Sequence, residues 1–464
     1  MVVSWSHNRN CTFGPLPGIS TGVSDSVFNK LIRRVRAVAA DLPDPRTGAN
    51  TRYSMADLAL AAFAVFFTQC PSFLSFQQNM EKTHGRNNAR SLFQMEDIPC
   101  DNHIRSILDS VAPTHLFPLF DDLFEAFAKT GVLEQMRAVH HTRLIALDAT
   151  WYYSSQSEHI YCESCSCLKH ADGTVTHFHS AITPVIVCPG HDKVVPLRPE
   201  FITPQDGALK QDCEINAAKR WLSAQAARYA TGNDTLLGDD LYAHQPFCRQ
   251  VLLHGFHFLF TCKPTSHTHL AGWVETLEPG RTLHTSKQRV KGPSNHWEHH
   301  EYRWAEGVPL TDSDDALKVN WCELTVTNAE GALRYRNSFI TDWKITAENV
   351  AGLVAAGRAR WKIENENNNV LKNHGYHLEH NFGHGKQHLS ALLLTMNLLA
   401  FGLHTLLELG DESYRLVRKA VGARRKFFTH LEALTTYLPF ENWERLMDFM
   451  MRGLEIGPYA VQKG

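Results

Sequence analysis

The stretch Arg358–Lys372, R-A-R-W-K-I-E-N-E-N-N-N-V-L-K, decides how the rest of the chain is read. It is polar and helix-compatible, and it sets Arg360, Glu364 and Lys372 at roughly helical spacing. Alone, such a segment reads as a solvated, salt-bridged helix face. Two upstream stretches change that reading. L-I-A-L-D-A-T and L-L-G-D-D-L-Y each end a short apolar run in an aspartate, Asp148 and Asp239. A carboxylate at the carboxyl end of a core strand stands at the rim of a sheet, where ligands bind. A third acid on a helix beside those strands would complete a cage of hard oxygens suited to Mg2+ or Mn2+. Two such ions about 4 Å apart can activate an attacking oxygen and stabilise a leaving one in phosphoryl transfer.

The segments between these stretches alternate in a way that fits such a cage. From Arg143 the chain reads as a strand, then aromatic residues, then H-F-H-S-A-I-T-P-V-I-V in β style. A helix over Lys210 to Ala227, the strand T-L-L-G-D-D, a helix from about Ala243 to Leu253 and the strand F-H-F-L-F-T-C-K follow. Strand–helix–strand alternation predicts a mixed α/β sheet. Residues 267–345 break the alternation with strand-like runs between Gly, Pro and Asp turns, a β-rich insertion. The chain is predicted helical again over 346–410.

The flanks read as helical. Residues 1–22 are rich in Gly, Pro and Ser and predict disorder. Residues 23–140 predict several helices with scattered Arg and Lys, a structural or DNA-binding domain. Residues 411–464 predict further helices, including the basic run Arg415, Arg418, Lys419, Arg424, Arg425, Lys426, which reads as a solvated face or a binding patch. The division is therefore 1–22, 23–140, 141–266 for the first part of the core, 267–345, 346–410 for its second part, and 411–464.

In this order of elements the chain resembles insertion-sequence transposases of the DDE type, in the branch with a β-strand insertion between the second and third acids. The resemblance covers roughly Leu144 to Leu409 and implies an RNase H-like catalytic core. That family carries its third acid in a Y-x2-R-x3-E-x6-K signature and its second in a D-x-x-Y setting. Asp148 matches the first acid, Asp239 with Tyr242 the second, and Arg360 with Glu364 the R-x3-E pair. The resemblance implies that Asp148, Asp239 and Glu364 hold two Mg2+ or Mn2+ ions. It implies phosphodiester cleavage and strand transfer on double-stranded DNA, at terminal inverted repeats and a target, by a homodimer. Arg360, Lys372, Tyr242 and Lys386 are then the candidate DNA contacts. Two departures stand out: Gly357 occupies the signature tyrosine position, and Lys372 lies eight residues after Glu364 rather than seven. A one-residue offset turns a helical side chain by about 100°. Glu366 remains an alternative to Glu364, and Asp240 to Asp239.

Bulk composition is compatible with this reading. The chain has 464 residues, 43% hydrophobic and 20% charged, enough for a large core. A net charge of −2 excludes a global basic field, so nucleic-acid contacts must come from local patches. The N-terminus lacks the basic-then-apolar order of a secretory signal, and the 11 cysteines are odd in number and scattered. Reduced thiols and a cytoplasmic, nucleoid-associated prokaryotic protein are the expectation. The apolar run Leu389–Leu409 is long enough for a bilayer. It carries Asn397, His404 and Glu408, however, and reads as a buried core helix rather than a membrane span.

Two clusters stand apart. Cys162, Cys165 and Cys167 form C-x2-C-x-C, followed by His170, His177 and His179, a candidate zinc site or a set of reduced thiols. The segment after Lys372 holds His374, His377, His380, His384 and His388 beside Lys386, a polar loop or a DNA-facing one. The rival readings of the whole are a metal-dependent nuclease on the same fold, a domesticated DNA-binding protein without catalysis, and a Cys/His zinc protein.

Overall fold

The run Arg143–Ala146 forms a strand buried on both faces, and the sheet grows outward from it. The structure, a computed structural model, describes residues 26–48, 51–157, 159–162, 164–204, 213–229, 233–291 and 296–460. The expected disorder of residues 1–22 lies outside the described residues. The fold is mixed α/β, with two sheets and a large helical body.

The strands run in chain order as β1 (Arg143–Ala146), β2 (Ala149–Ser155), β3 (Ser166–Lys169), β4 (Val175–Ile182), β5 (Val185–Val187), β6 (Val195–Pro196) and β7 (Glu200–Ile202). They continue as β8 (Asp234–Gly238), β9 (His257–Thr261), β10 (His284–Lys291), β11 (Trp297–Pro309), β12 (Lys318–Asn328) and β13 (Leu333–Thr341). The larger sheet has the order β10-β11-β12-β13-β9-β8-β1-β5-β6. β1, β8 and β9 are parallel neighbours, and β5 and β13 flank them antiparallel. Parallel strands covered on both faces need continuous apolar runs, and the three central strands supply them. The predicted β-rich insertion at 267–345 is present as β10–β13. It is no separate sheet: β13 pairs with β9, so the insertion extends the central one.

β1 and β2 are one extended segment bent at Leu147–Asp148, and β4 and β5 are its partner, bent at Thr183–Pro184. β1 pairs β5 in the large sheet, while β2 pairs β4 in the smaller sheet with β3 and β7. The Thr183 amide donates to the Asp148 carbonyl (3.2 Å), closing the ladder across the bend. Asp148 thus sits where a long hairpin leaves one sheet for the other.

A buried ion pair fixes the register of β1 on β8. Arg143 grips Asp234 bidentately, at 2.6 and 2.7 Å, and the two are also strand partners. Charges so buried are tolerated because each satisfies the other with good geometry.

The helical flanks form one body. Helix Met55–Phe67 is buried along its whole length and packs against helix Leu389–Gly410. The latter is the one described helix long and apolar enough to cross a membrane, and most of it is buried in the protein. Its polar residues are satisfied inside. His404 donates from Nε2 to the Phe67 carbonyl (2.8 Å) and accepts at Nδ1 from the Tyr414 hydroxyl (2.9 Å). Burial pushes its pKa well below the ordinary value, which keeps the ring neutral. The N-terminal and C-terminal helices, read from the sequence as separate regions, interlock: Phe28 stacks on Trp443 at 4.4 Å, and Asn88 donates to the Thr435 and Leu438 carbonyls. The basic C-terminal run is split by this packing. Arg418 is buried over Phe427, and Arg424 lies against Tyr376, leaving Arg415, Lys419, Arg425 and Lys426 exposed.

Candidate active site

β1 and β8 carry Asp148 and Asp239 to the same edge. Ala146 faces Leu237 across the parallel pair, and the Leu147 amide continues the ladder to the Leu237 carbonyl (2.9 Å). Asp148 and Asp239 each lie two residues beyond the last registered pair, and the charge of Asp239 acts on Asp148. An equal number of residues separates each aspartate from the residue of the Arg143–Asp234 pair on its own strand.

Asp239 opens a tight turn, with its Oδ1 accepting from the Leu241 amide (2.9 Å). Asp240, the alternative, is engaged elsewhere. Its carboxylate accepts from the Lys263 amide (2.6 Å) and the Ser266 hydroxyl and lies 3.4 Å from His267. It braces the loop after β9.

Tyr242, expected among the DNA contacts, is corrected: the side chain is fully buried and cannot meet DNA. Its ring folds back under the end of β8, where a Cβ on Gly238 would come within 2.8 Å of it, which explains a glycine in L-L-G-D-D-L-Y. Its hydroxyl donates to Glu214 (2.5 Å), the first residue of helix Glu214–Tyr229. The charge of Glu214 also acts on Asp148. A fourth carboxylate, which sequence reasoning missed, is therefore held between the two strand ends. The only trace of it in the sequence is Tyr242, whose buried hydroxyl needs an acceptor.

The opening stretch proves not to be one regular helix. An α-helix over Val350–Arg358 tightens at Ala359–Trp361, widens to a π-helical turn over Ile363–Asn368 and returns to α over Asn369–Asn373. A π-turn accommodates one extra residue and is frequent at functional sites. Lys372 pairs with Glu379 (2.7 Å), and Lys386 is exposed on the loop before helix Leu389–Gly410, its amide donating to Asp109 (2.8 Å). Gly357 has a local cause: a Cβ there would lie 2.7 Å from the Phe339 ring of β13, so the phenylalanine fills the space a larger residue would need.

The asparagines of the π-turn face the hairpin bend. Asn368 donates to Asp148 Oδ2 (3.2 Å) and accepts from Thr183 (3.1 Å), while Asn367 donates to Thr183 (3.2 Å). Arg360 pairs with Glu364 at 2.7 Å. Burial, reinforced by the negative charge of Glu214, Glu364 and Asp239 and opposed by Arg360, pushes the Asp148 carboxyl up to about 7. Burial also raises Glu214, with Asp239 adding to it and the Tyr242 hydrogen bond opposing. Two carboxyls at this edge, Asp148 and Glu214, are thus held above their ordinary range. Carboxylate oxygens are the hard donors that Mg2+ or Mn2+ takes, but among the described residues no three of these acids converge within 4.8 Å of one another. The charges of Asp239 and Glu364, the acids grouped with Asp148 from the sequence, both act on Asp148.

The candidate zinc ligands Cys162 and Cys165 lie at the far end of the hairpin, beside His179 of β4. The hydrogen bond between the two thiols holds Cys162 well below its ordinary range and pushes Cys165 up. Cys167 contacts His177 (3.2 Å). All ten described cysteines are free. Comparison with known proteins finds no family model and no curated protein that matches this chain.

Proposed function

We propose that this chain is a DNA transposase of the Asp-Asp-Glu type, cleaving and joining phosphodiesters at the ends of an insertion sequence. The observation that carries the proposal is the setting of Asp148 beside Asp239 at the carboxyl ends of two parallel strands, with the charge of Glu364 acting on Asp148. The order β6-β5-β1-β8-β9, an antiparallel unit followed by two parallel strands, supports an RNase H-like core as its frame.

In this reading Asp148, Asp239 and Glu364 hold two divalent ions, with Glu214 adjacent. Such ions, when bound, supply charge neutralisation at the scissile phosphate and ease deprotonation of the attacking water or DNA 3′-hydroxyl. The chain's own groups prepare that site. Asn368 fixes the rotamer of Asp148, the Tyr242 hydroxyl holds Glu214, and the tight turn after β8 aims Asp239. Arg360 stands at the rim, where a guanidinium binds a DNA phosphate and offsets charge developing in the transition state. Lys372, Lys386 and the exposed C-terminal cations extend the contact along double-stranded DNA, bound by a homodimer.

The test is a strand-transfer assay with Mg2+ and duplexes carrying the inverted repeats that flank the coding sequence. Asp148→Asn, Asp239→Asn and Glu364→Gln should each cost at least about 100-fold in cleavage rate with end binding retained. Cleavage without joining in the unaltered protein would favour the nuclease reading. Binding of the ends with no cleavage would favour a domesticated DNA-binding protein.

A further inference from the structure

Cys162, Cys165, His179 and His384 bring four donor atoms together, all within 4.8 Å of one another. Cys162 Sγ to Cys165 Sγ is 3.8 Å. His179 Nε2 lies 3.5 and 3.4 Å from the two sulfurs, and His384 Nε2 lies 3.3 Å from Cys165 Sγ and 3.0 Å from His179 Nε2. A tetrahedral zinc with Zn–S near 2.3 Å and Zn–N near 2.0–2.1 Å requires edges of about 3.8 Å for S···S, 3.6 Å for S···N and 3.3 Å for N···N. Five of the six edges follow that order and lie within about 0.3 Å of it, and the sixth, Cys162 Sγ to His384 Nε2, is no longer than 4.8 Å.

Hydrogen bonding among the four does not explain the arrangement as well. His384 Nδ1 donates to the Gly385 carbonyl (2.7 Å), so in the neutral ring its Nε2 carries the lone pair and aims it into the cluster. That outward Nδ1–H bond is the support that metal-bound histidines normally have. Cys165, His179 and His384 are buried, so their donor atoms have little recourse to solvent.

We infer that Cys162, Cys165, His179 and His384 form a closed structural zinc site. It is independent of the proposed DNA chemistry: all four positions are protein ligands, leaving none open for catalysis. Three ligands come from the hairpin that bends at Asp148. The fourth comes from the loop between the segment bearing Glu364 and helix Leu389–Gly410. The ion staples those two parts of the chain 219 residues apart in sequence.

The test is metal analysis of the full chain, purified without a polyhistidine tag, followed by Co2+ substitution. One zinc per chain is expected, with cobalt giving the charge-transfer and d–d bands of a tetrahedral site with two thiolates. Cys165→Ser and His384→Ala should each weaken zinc binding by more than about 100-fold, beyond the 10–100-fold typical of an outer partner. His384→Cys keeps a donor in place and should retain the metal with a three-thiolate cobalt spectrum, which guards against misfolding of the alanine variant. Cys167→Ser should leave zinc content unchanged. Absence of zinc from protein grown with zinc, together with no tetrahedral cobalt spectrum on titration, would overturn the inference. So would loss of the metal in Cys167→Ser with retention in His384→Ala.

Discussion

Replacing Asp148 with asparagine should make the metal-free protein more stable at alkaline pH, although it removes the first acid of the proposed site. The folded carboxyl holds its proton up to about pH 7, against an ordinary value of 3.8. At about 1.4 kcal/mol per tenfold change in proton affinity, keeping Asp148 ionised costs the fold at most roughly 4 kcal/mol. Solvent screening at a partly exposed group brings this nearer to about 2 kcal/mol. The sign follows from proton linkage. Between about pH 4 and 7 the folded state binds the proton that the unfolded state releases, so this contribution to stability falls as pH rises and then levels off. Asparagine keeps the shape, can accept from Asn368 and presents its amide to the neighbouring carboxylates. Urea denaturation in chelator at pH 5 and pH 8 should therefore show the unaltered protein losing roughly 1–3 kcal/mol relative to Asp148→Asn across that interval, since only the span from pH 5 to about 7 is titrated. Mg2+ should restore the unaltered protein and not the variant. Equal pH dependence of the two, or a less stable variant at pH 8 in chelator, would refute the picture of crowded carboxylates.

Other substitutions probe the frame around the site. Asp234→Ala leaves Arg143 buried and unpaired and should cost roughly 3–5 kcal/mol in urea denaturation. The double variant Arg143→Leu, Asp234→Leu should recover much of that loss, since no charge is then stranded. Gly357→Ala should destabilise by roughly 1–3 kcal/mol despite the helical preference for alanine, because its methyl meets the Phe339 ring. Shortening the ring with Phe339→Leu should relieve the strain, and a rise in melting temperature for Gly357→Ala alone would contradict it.

Local patterning made the core strands readable: Leu144–Leu147 is an unbroken apolar run ending at Asp148, and Leu236–Leu237 lead through Gly238 to Asp239. The buried character of helix Leu389–Gly410 was equally plain, because Asn397 and His404 demand partners that lipid lacks. What escaped the sequence depends on contacts between distant residues. Glu214 has no periodic neighbour to mark it, and only the fold of Tyr242 under β8 brings it between the aspartates. His384 joins cysteines more than two hundred residues away. The π-turn over Ile363–Asn368 is set by Asn367 and Asn368 reaching the hairpin bend, a demand that helix propensity cannot register. The pairing of β13 with β9 was hidden for the same reason, since the strands of an insertion do not announce which edge they will join.

That pairing has a consequence for scale. β10 stands six strand steps from β1 in the sheet order, which at about 4.8 Å per step is roughly 29 Å. Its exposed Lys287, Arg289 and Lys291 form the far margin of the same hydrogen-bonded plate that carries the aspartates. B-form DNA rises about 3.4 Å per base pair, so on the proposed activity those cations would fall between eight and nine base pairs from the cleavage point. The insertion would then act as a ruler, measuring the terminal repeat inward from its end by the width of a sheet.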